Sequence, residues 1–423
     1  IPVVRGSRSE TDGDVHYADI PLVTVGGRNV LSVQLGIGIG LTASGLAAPK
    51  PAGSSLADLI REIKAHTSAG SSDQTSLSGG GSGFLSSLPT DKPLLVQTIV
   101  ATQSGSLSGV PLVISGSSAA GAPQTALVID ARGLAAGTTL ALQNVDFAAV
   151  IGNVKVTGGA GSQVVFGDSS RQHIVLGADD DTLHGGGGND YIGSKGGDDW
   201  LYGDAGHDTV SGGSGNDRLS GGTGRDRLDG GSGSDSLKGD SSHDTVSGGS
   251  GNDRLYGNSG NDRLSGGSGA DTLWGGTGAD RLDGGSGNDS LKGNSGNDRI
   301  TGGLGRDKMW GGSGSNVFDF NTLRESKVGS QRDVIFDFQS GRDRIDLRTI
   351  DANETRKGNQ AFSWSGGDGP FLYPNEFLKA GFTGQAGELR YERGILMGDT
   401  DGDGRADFQI KIVGFFSAGD VLL

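Results

Sequence analysis

The sequence predicts an all-β protein: a parallel β-roll of nonapeptide repeats, capped by a C-terminal β domain and preceded by a β-rich N-terminal region. Three observations predict this fold class. Glycine accounts for 82 of the 423 residues, many of these glycines recur with a period of nine, and short β-prone segments flank the periodic part. A collagen helix would need glycine at every third residue, and a disordered chain would show no period. A collagen helix and a disordered chain are therefore both excluded.

The period of nine is unbroken over residues 185–319, where fifteen nonapeptides follow G-G-x-G-x-D-x-U-x, with U a large apolar residue. A clear copy is GGSGNDRLS at 212–220. The sixth position is aspartate in fourteen copies and Asn316 in the last. Three weaker copies extend the register back to residue 158, and the first two have Gln163 and Gln172 in place of the aspartate.

Each position of the repeat has a physical reason. Glycines at positions one, two and four permit positive φ, so the chain can turn sharply there. Residues seven to nine are predicted to form a brief strand whose eighth side chain points inward. Two nonapeptides then close one coil of 18 residues, and successive coils stack as parallel strands.

The stacked aspartates point to calcium. One apolar residue in nine makes a thin core, and aspartates about one strand spacing apart repel by ~1 kcal/mol per neighbouring pair even at the dielectric constant of water. Calcium takes six to eight oxygen ligands, carboxylates and carbonyls included, and removes this repulsion. We therefore expect on the order of a dozen Ca²⁺ ions and coupling of binding to folding. The candidate ligands in the repeats are Asp181, Asp190, Asp199, Asp208, Asp217, Asp226, Asp235, Asp244, Asp253, Asp262, Asp271, Asp280, Asp289, Asp298 and Asp307.

These repeats resemble the RTX (repeats-in-toxin), hemolysin-type calcium-binding nonapeptides, which form a parallel β-roll with calcium between the turns. After them come DVIFDFQSGRDRIDL at 333–347 and GDTDGDGRADFQIKIVG at 398–414, which look like the C-terminal domain of serralysin-type proteins. This second resemblance implies a capping domain over residues 320–423 that carries an uncleaved signal for type I secretion.

A second candidate calcium site lies in the run DTDGDGRAD. Asp399, Asp401, Asp403 and Asp407 occupy positions one, three, five and nine of an EF-hand-like loop. The glutamate expected at position twelve is replaced by Ile410, which argues against an isolated high-affinity EF-hand. A calcium-ligating β-hairpin and an acidic turn without an ion both remain open.

Residues 1–92 are predicted as a β-rich region with one helix, over Leu56–His66, started by Ser54 or Ser55. The Gly/Ser-rich stretch 68–87 is predicted as a linker or mobile loop. Residues 93–157 are predicted as a β-sandwich or β-helix that leads into the roll at 158–319. The predicted strand segments before the roll are Leu22–Val25, Val30–Leu35, Leu94–Ala101, Val110–Ile114, Ala126–Ile129 and Thr138–Val145.

Composition and motifs narrow the range of possible functions. The net charge of −15 disfavours nucleic acid and anionic membranes as partners, cysteine is absent, and no apolar run is long enough to span a bilayer. None of the six histidines lies in H-E-x-x-H, and there is no G-x-S-x-G motif, so the sequence predicts no enzyme.

The leading hypothesis is a secreted bacterial calcium-binding protein with a structural role at the cell surface or in the extracellular matrix. The resemblance implies S-layer-like, adhesin or self-assembling roles, with calcium ions, the type I secretion machinery, other copies of the chain or cell-surface glycans as partners. One alternative is a hydrolase or toxin whose catalytic part lies in residues 1–157. Another is a soluble calcium buffer or a chaperone-like partner.

Overall fold

The computed structural model describes residues 10–12, 15–35, 39–103, 111–353, 359–364 and 381–423. Within these residues the chain has two α-helices and two 3-10 helices, and is otherwise built from strands and turns. The predicted fold class, all-β with a parallel β-roll, is confirmed. The chain forms two compact units, residues 1–227 and 228–423, which are described separately.

The first unit begins with antiparallel strands. These are β1 (Glu10–Asp12), β2 (Val15–Val25), β3 (Arg28–Leu35), β4 (Ile39–Gly45) and β5 (Lys50–Pro51). Strands β1, β2 and β3 pair in chain order, and the predicted segments Leu22–Val25 and Val30–Leu35 lie within β2 and β3. Strands β4 and β5 both pair antiparallel with a later strand that begins at Pro93.

Helix α1 (Ala52–His66) ends where the sequence predicted but begins four residues earlier. The Ser54 and Ser55 hydroxyls donate to the carbonyl oxygen of Pro51, at 2.9 and 3.0 Å. Both serines therefore lie inside the first turn, and the prediction that one of them starts the helix is wrong.

The Gly/Ser-rich stretch is not a linker, because residues Ser72–Ser87 form a second helix, α2. Its Ser71 side chain accepts a hydrogen bond from the N–H of Gln74, and Leu77 and Leu85 are buried. A Cβ on Gly81 would lie 3.0 Å from Leu59 of α1, so the glycine allows the two helices to approach closely. Burial of this apolar stripe outweighs the low helix propensity of glycine.

Residues 93–157 form a parallel β-helix, the second of the two predicted alternatives. One sheet stacks β6 (Pro93–Gln103), β8 (Gln124–Gly133) and β10 (Phe147–Ile151), all parallel. The other stacks β7 (Leu112–Gly116), β9 (Thr139–Gln143) and β11 (Lys155–Gly158), also parallel. Of the predicted segment Val110–Ile114, Val110 lies outside the described residues.

The β-helix passes into the roll without a change of direction. The strands here are β12 (Val164–Phe166), β13 (His173–Val175), β14 (Thr182–His184), β15 (Gly187–Gly188), β16 (Tyr191–Gly193), β17 (Trp200–Tyr202), β18 (Ala205–Gly206), β19 (Thr209–Ser214) and β20 (Arg218–Thr223). From β12 to β17 each strand pairs in parallel with the strand 18 residues further on, as Leu183 with Leu201. The predicted coil of two nonapeptides is therefore confirmed.

The second unit is also built from coils of 18 residues. Its strands are β21 (Arg227–Ser232), β22 (Ser236–Ser241), β23 (Thr245–Ser250), β24 (Arg254–Ser259), β25 (Arg263–Ser268), β26 (Thr272–Thr277), β27 (Arg281–Gly287), β28 (Ser290–Ser295), β29 (Arg299–Thr301), β30 (Leu304–Gly305), β31 (Lys308–Trp310) and β32 (Val317–Asp319). We call the sheet of β22, β24, β26, β28 and β31 sheet I, and that of β23, β25, β27, β29 and β32 sheet II.

Strands in these regular coils are longer than predicted. They contain positions seven to nine of one repeat and also positions one to three of the next, because Gly249 and Ser250 pair with Gly267 and Ser268. The eighth side chains fill the interior, as predicted, and Leu255, for example, is fully buried.

The C-terminal strands are β33 (Asp333–Gln339), β34 (Arg344–Asp346), β35 (Ser363–Trp364), β36 (Glu388–Glu392), β37 (Ile395–Asp399), β38 (Phe408–Phe415) and β39 (Val421–Leu422). Strand β33 lies between β31 and β38, and β34 lies between β32 and β39, all parallel. Strands β36, β37 and β38 form antiparallel hairpins. The 3-10 helices are Gly329–Gln331 and Ala418–Asp420.

Candidate calcium-binding site

The aspartates at the sixth position form buried rows along the roll. From Asp181 to Asp307 each is at most 3% exposed, although each carries a carboxylate. Such a set of buried acids is unusual, since an ionised carboxylate in a protein interior is normally paired or bound to a metal ion.

One carboxylate oxygen in each row bonds to the next coil. The backbone N–H of Asp253 donates to Oδ1 of Asp271 and the N–H of Asp271 donates to Oδ1 of Asp289, both at 2.8 Å. In the first unit the N–H of Asp190 donates to Oδ1 of Asp208 at 2.7 Å. These bonds fix the side-chain rotamer and direct Oδ2 away from the strand.

The second carboxylate oxygen, Oδ2, does not take part in these bonds between coils. Within the part of the chain that the structure describes, Oδ2 is buried without a hydrogen-bond partner in Asp190, Asp199, Asp208, Asp253, Asp262, Asp271, Asp280, Asp289, Asp298 and Asp307. A buried oxygen that accepts nothing is costly, by ~1–3 kcal/mol and more when it is charged. A row of such atoms therefore fits a bound cation.

The first glycine of each repeat provides the space. A Cβ on Gly275 would lie 2.5 Å from Oδ2 of Asp280 and 2.8 Å from the carbonyl oxygen of Gly293. Two oxygens thus converge beside an atom position that glycine leaves vacant. The predicted positive φ at position one is wrong; the glycine there is required by close approach, and positive φ occurs at positions two and four, as in Gly276 and Gly278.

Burial also changes the acidity of these groups. It raises the pKa of Asp280 and Asp289 from 3.8 to about 7 and that of Asp271 to about 6. In the first unit burial raises the pKa of Asp190 and Asp208 to about 7. Neighbouring aspartates of the same row add to the increase. The charged form of each row therefore needs a positive partner at neutral pH.

In the two weakest repeats a glutamine takes the place of the aspartate. Gln172 takes the sixth position, and its N–H donates to Oδ1 of Asp190 at 2.7 Å, so the row is continuous. Its side-chain Nε2 donates to the carbonyl oxygens of Val150 and Gly152 and to Oδ1 of Asp168. The amide nitrogen here donates hydrogen bonds that a carboxylate cannot, whereas Gln172 Oε1 is buried without a hydrogen-bond partner among the described residues, as the Oδ2 atoms are.

Two further aspartates, which the sequence analysis missed, extend the rows beyond the repeats. The N–H of Asp307 donates to Oδ1 of Asp333 at 2.8 Å, and the N–H of Asn316 donates to Oδ1 of Asp343 at 2.9 Å. Asp333 is fully buried, its Oδ2 has no partner among the described residues, and burial raises its pKa to about 9. The N–H of Asp333 donates to the Ser326 hydroxyl, so no further aspartate follows.

A sequence signal for these two aspartates exists. The run G-R-D-R-I at 341–345 repeats positions four to eight of the nonapeptide, with Asp343 at six. Asp333-Val334-Ile335 repeats positions six to eight. A search for the regular spacing does not find Asp333 and Asp343, because they follow the preceding members of their rows by 26 and 27 residues instead of 18.

The EF-hand-like run lies in the hairpin between β37 and β38. Oxygens of Asp399, Asp401 and Asp403 lie within 4.8 Å of one another. Asp399 is fully buried and accepts the N–H groups of Gly402 and Gly404, at 2.7 and 2.9 Å. The structure thus brings three of the four predicted ligands together.

The fourth, Asp407, bonds elsewhere. Its Oδ2 accepts the N–H and the hydroxyl of Thr400, at 2.6 and 2.7 Å. The Asp407 carboxylate therefore joins the two ends of the loop. The hairpin is thus present, with a three-aspartate group at its turn.

Taken together, the coils define the class of the protein: a parallel β-roll whose turns are lined with buried acidic oxygens suited to a hard cation. The family model for the RTX calcium-binding nonapeptide repeat (4 copies) matches this part of the chain. The matched segments are 157–192, 166–201, 194–219, 220–255, 256–291 and 283–318. The chain therefore contains RTX calcium-binding repeats. A comparison with curated proteins gave no match.

Proposed function

We propose that this is a secreted, non-enzymatic protein that folds on binding calcium after export and then serves as a stiff structural element at the cell surface or in the extracellular matrix. The observation that carries the proposal is the row of buried Oδ2 atoms that lack hydrogen-bond partners among the described residues. A chain of this kind remains unfolded at low calcium, which suits transport, and becomes rigid at the higher calcium concentration outside the cell.

The residues proposed to hold calcium are the row aspartates from Asp190 to Asp307, with Asp333 as an additional member, and the Asp399–Asp401–Asp403 group forms a separate site. Asp181 and Asp343 lie in the same rows, but Oδ2 of each accepts a backbone N–H, from Gly177 at 3.2 Å and from Gln339 at 2.8 Å. The three-aspartate group supplies only part of a calcium shell of six to eight oxygens, so carbonyls and water complete it.

The export route is part of the proposal. RTX repeats are typical of exported proteins, and the C-terminal region is proposed to be a serralysin-like capping and type I secretion domain. Among the described residues, no helix is both long and apolar enough to cross a bilayer. We propose that attachment to the cell surface is through self-association or through cell-surface glycans.

Expression in a host with and without a type I export system tests the localisation. We expect the full chain in the medium only when the system is present, and a chain lacking residues 381–423 to stay inside. Export of both chains, or of neither, contradicts the proposal. Light scattering across a calcium titration then separates an assembling protein from a soluble calcium buffer, since only the former grows in mass after it has folded.

One pair of residues favours the alternative of a hydrolase in residues 1–157. His66 Nδ1 lies 3.1 Å from Oδ2 of Asp130, the arrangement that orients a catalytic imidazole. Asp130 also binds the Arg132 guanidinium through two side-chain bonds, which together with His66 lower its pKa to about 2. His66 makes no other hydrogen bond within the described residues, so no nucleophile is aligned with it. A screen of ester, peptide and glycoside substrates with the full chain and with His66→Asn tests this alternative, which requires turnover that the variant loses.

A further inference from the structure

The outward face of sheet I differs in charge from the rest of this acidic protein. Strands β22, β24, β26, β28 and β31 contain four basic residues, Lys238, Arg254, Lys292 and Lys308, and one acidic residue, Asp240. The chain as a whole has 50 acidic and 35 basic residues. The excess of positive charge on this face therefore runs against the overall composition.

These four cations have no carboxylate partner. Among the described residues none of them takes part in an ion pair, and three of them are exposed, Lys292 being half-buried. The single acid, Asp240, accepts a hydrogen bond from the Asn258 side chain. The cations are thus available to an anion from outside.

Sheet II carries a smaller excess of positive charge. Its strands contain three arginines, Arg263, Arg281 and Arg299, and two aspartates, Asp283 and Asp319. Arg299 lies 2.8 Å from Asp319, and Asp283 follows Arg281 by two residues on the same strand. Sheet II is therefore close to neutral, whereas sheet I is cationic.

Aromatic side chains share the face with the cations. Tyr256 and Trp274 are paired in register and stack with ring centroids 4.6 Å apart and planes 1° apart. The Lys292 ammonium lies 5.2 Å from the ring centroid of Trp310. A shallow, open depression beside Tyr256 is lined by Lys238, Asp240, Ser241 and Asn258.

We propose that the outward face of sheet I binds a linear polysaccharide that carries carboxylate or sulfate groups. Cations without an ion-pair partner on four of the five strands match a polymer with a repeated negative charge. Aromatic rings with hydroxyl and amide groups nearby suit sugar rings, which have apolar faces and polar edges. The proposal needs only the folded roll and is independent of whether the protein assembles or where it is located.

The same features disfavour two other polyanions. Single-stranded nucleic acid is held by aromatic faces onto which bases stack, and here Tyr256 and Trp274 cover each other. An anionic membrane would need apolar side chains that can insert, yet these rings are half-buried in their own ladder. A sugar polymer can contact ring edges and cations along a flat face.

The test measures binding of the calcium-loaded full chain to hyaluronan and chondroitin sulfate, with uncharged dextran alongside. Two of the four tryptophans, Trp274 and Trp310, lie on this face, so a change in tryptophan fluorescence that is lost in Trp274→Phe reports binding there. We expect binding to both charged polymers, none to dextran, and roughly tenfold weaker binding in Lys292→Gln/Lys308→Gln, because two charge contacts are lost. Circular dichroism confirms that the variant is folded.

The matched control is Arg263→Gln/Arg281→Gln, which removes two positive charges from sheet II in the same region of the roll. We expect its affinity to stay within about twofold of the parent, since its cations are on the other sheet. Equal weakening by both variants, absence of binding to either charged polymer, or tighter binding of single-stranded DNA or phosphatidylserine vesicles overturns the proposal.

Discussion

The backbone N–H of Asp253 donates to Oδ1 of Asp271 at 2.8 Å, while Oδ2 of Asp271 has no hydrogen-bond partner among the residues that the structure describes. The first oxygen fixes the geometry of the stack, and the second is presented to the space beside a glycine. One oxygen of the carboxylate therefore stabilises the stack of coils, and the other is free of that role and suited to bind a cation.

Replacing Asp271 with Asn separates these two roles. The amide oxygen can still accept the N–H of Asp253, but the charged oxygen is lost. We expect the calcium concentration at the midpoint of folding to rise by roughly tenfold and the transition to become less cooperative, because one ligand charge is removed. Asp229→Asn is the control, since Asp229 is exposed and loses the same charge. Equal shifts in the two calcium titrations, followed by circular dichroism, would show that the row does not bind calcium.

Protonation of the row aspartates at acidic pH should partly replace calcium in stabilising the fold. The raised pKa values, about 7 for Asp280, Asp289 and Asp307, mean that the metal-free fold binds more protons than the unfolded chain between pH 4 and 7. Its stability is therefore greatest below about pH 4, where both states are protonated, and is lost as the pH rises through about 7. Metal-free protein should show more β signal at pH 4.5 than at pH 7.5. The reverse order would contradict the assigned burial of these groups.

Asp333 tests whether the ion-binding rows continue past the repeats. We expect Asp333→Asn to bind fewer calcium ions per chain than the parent in native mass spectrometry, because an unpartnered buried oxygen is lost. Asp337→Asn lies in the same strand and removes the same charge, but both Asp337 oxygens accept backbone N–H groups, of Gly311 and Gly312. This control should keep the parental ion count. Identical calcium counts for all three proteins would show that the ion-binding rows end at Asp307.

Helix α2 gives a test that is independent of calcium. A Cβ on Gly83 meets no atom within 4 Å, whereas a Cβ on Gly80 would lie 2.6 Å from the Phe166 ring. We expect Gly83→Ala to raise the free energy of unfolding by about 0.5–1 kcal/mol, from helix propensity alone. Gly80→Ala should lower it, because the ring must move. Thermal unfolding with calcium present measures both, and equal effects would argue against the packing of α2 on this ring.

The period of nine was sufficient to predict the coil, the parallel stacking and the burial of the eighth residue, because each depends on local backbone geometry. Helix α2 could not be predicted in this way. Its glycines disfavour a helix, and what stabilises it is the burial of Leu77 and Leu85, a tertiary contact. Asp333 and Asp343 were missed for a related reason: longer insertions break the register in sequence but not in space.

The central claim is that calcium and folding are coupled through the aspartate rows. The most direct measurement is circular dichroism of the full chain at neutral pH, first in excess EGTA and then with calcium added back. We predict that the β signal of the roll is absent in EGTA and appears cooperatively with calcium. A spectrum that is the same in chelator and in calcium would contradict the account.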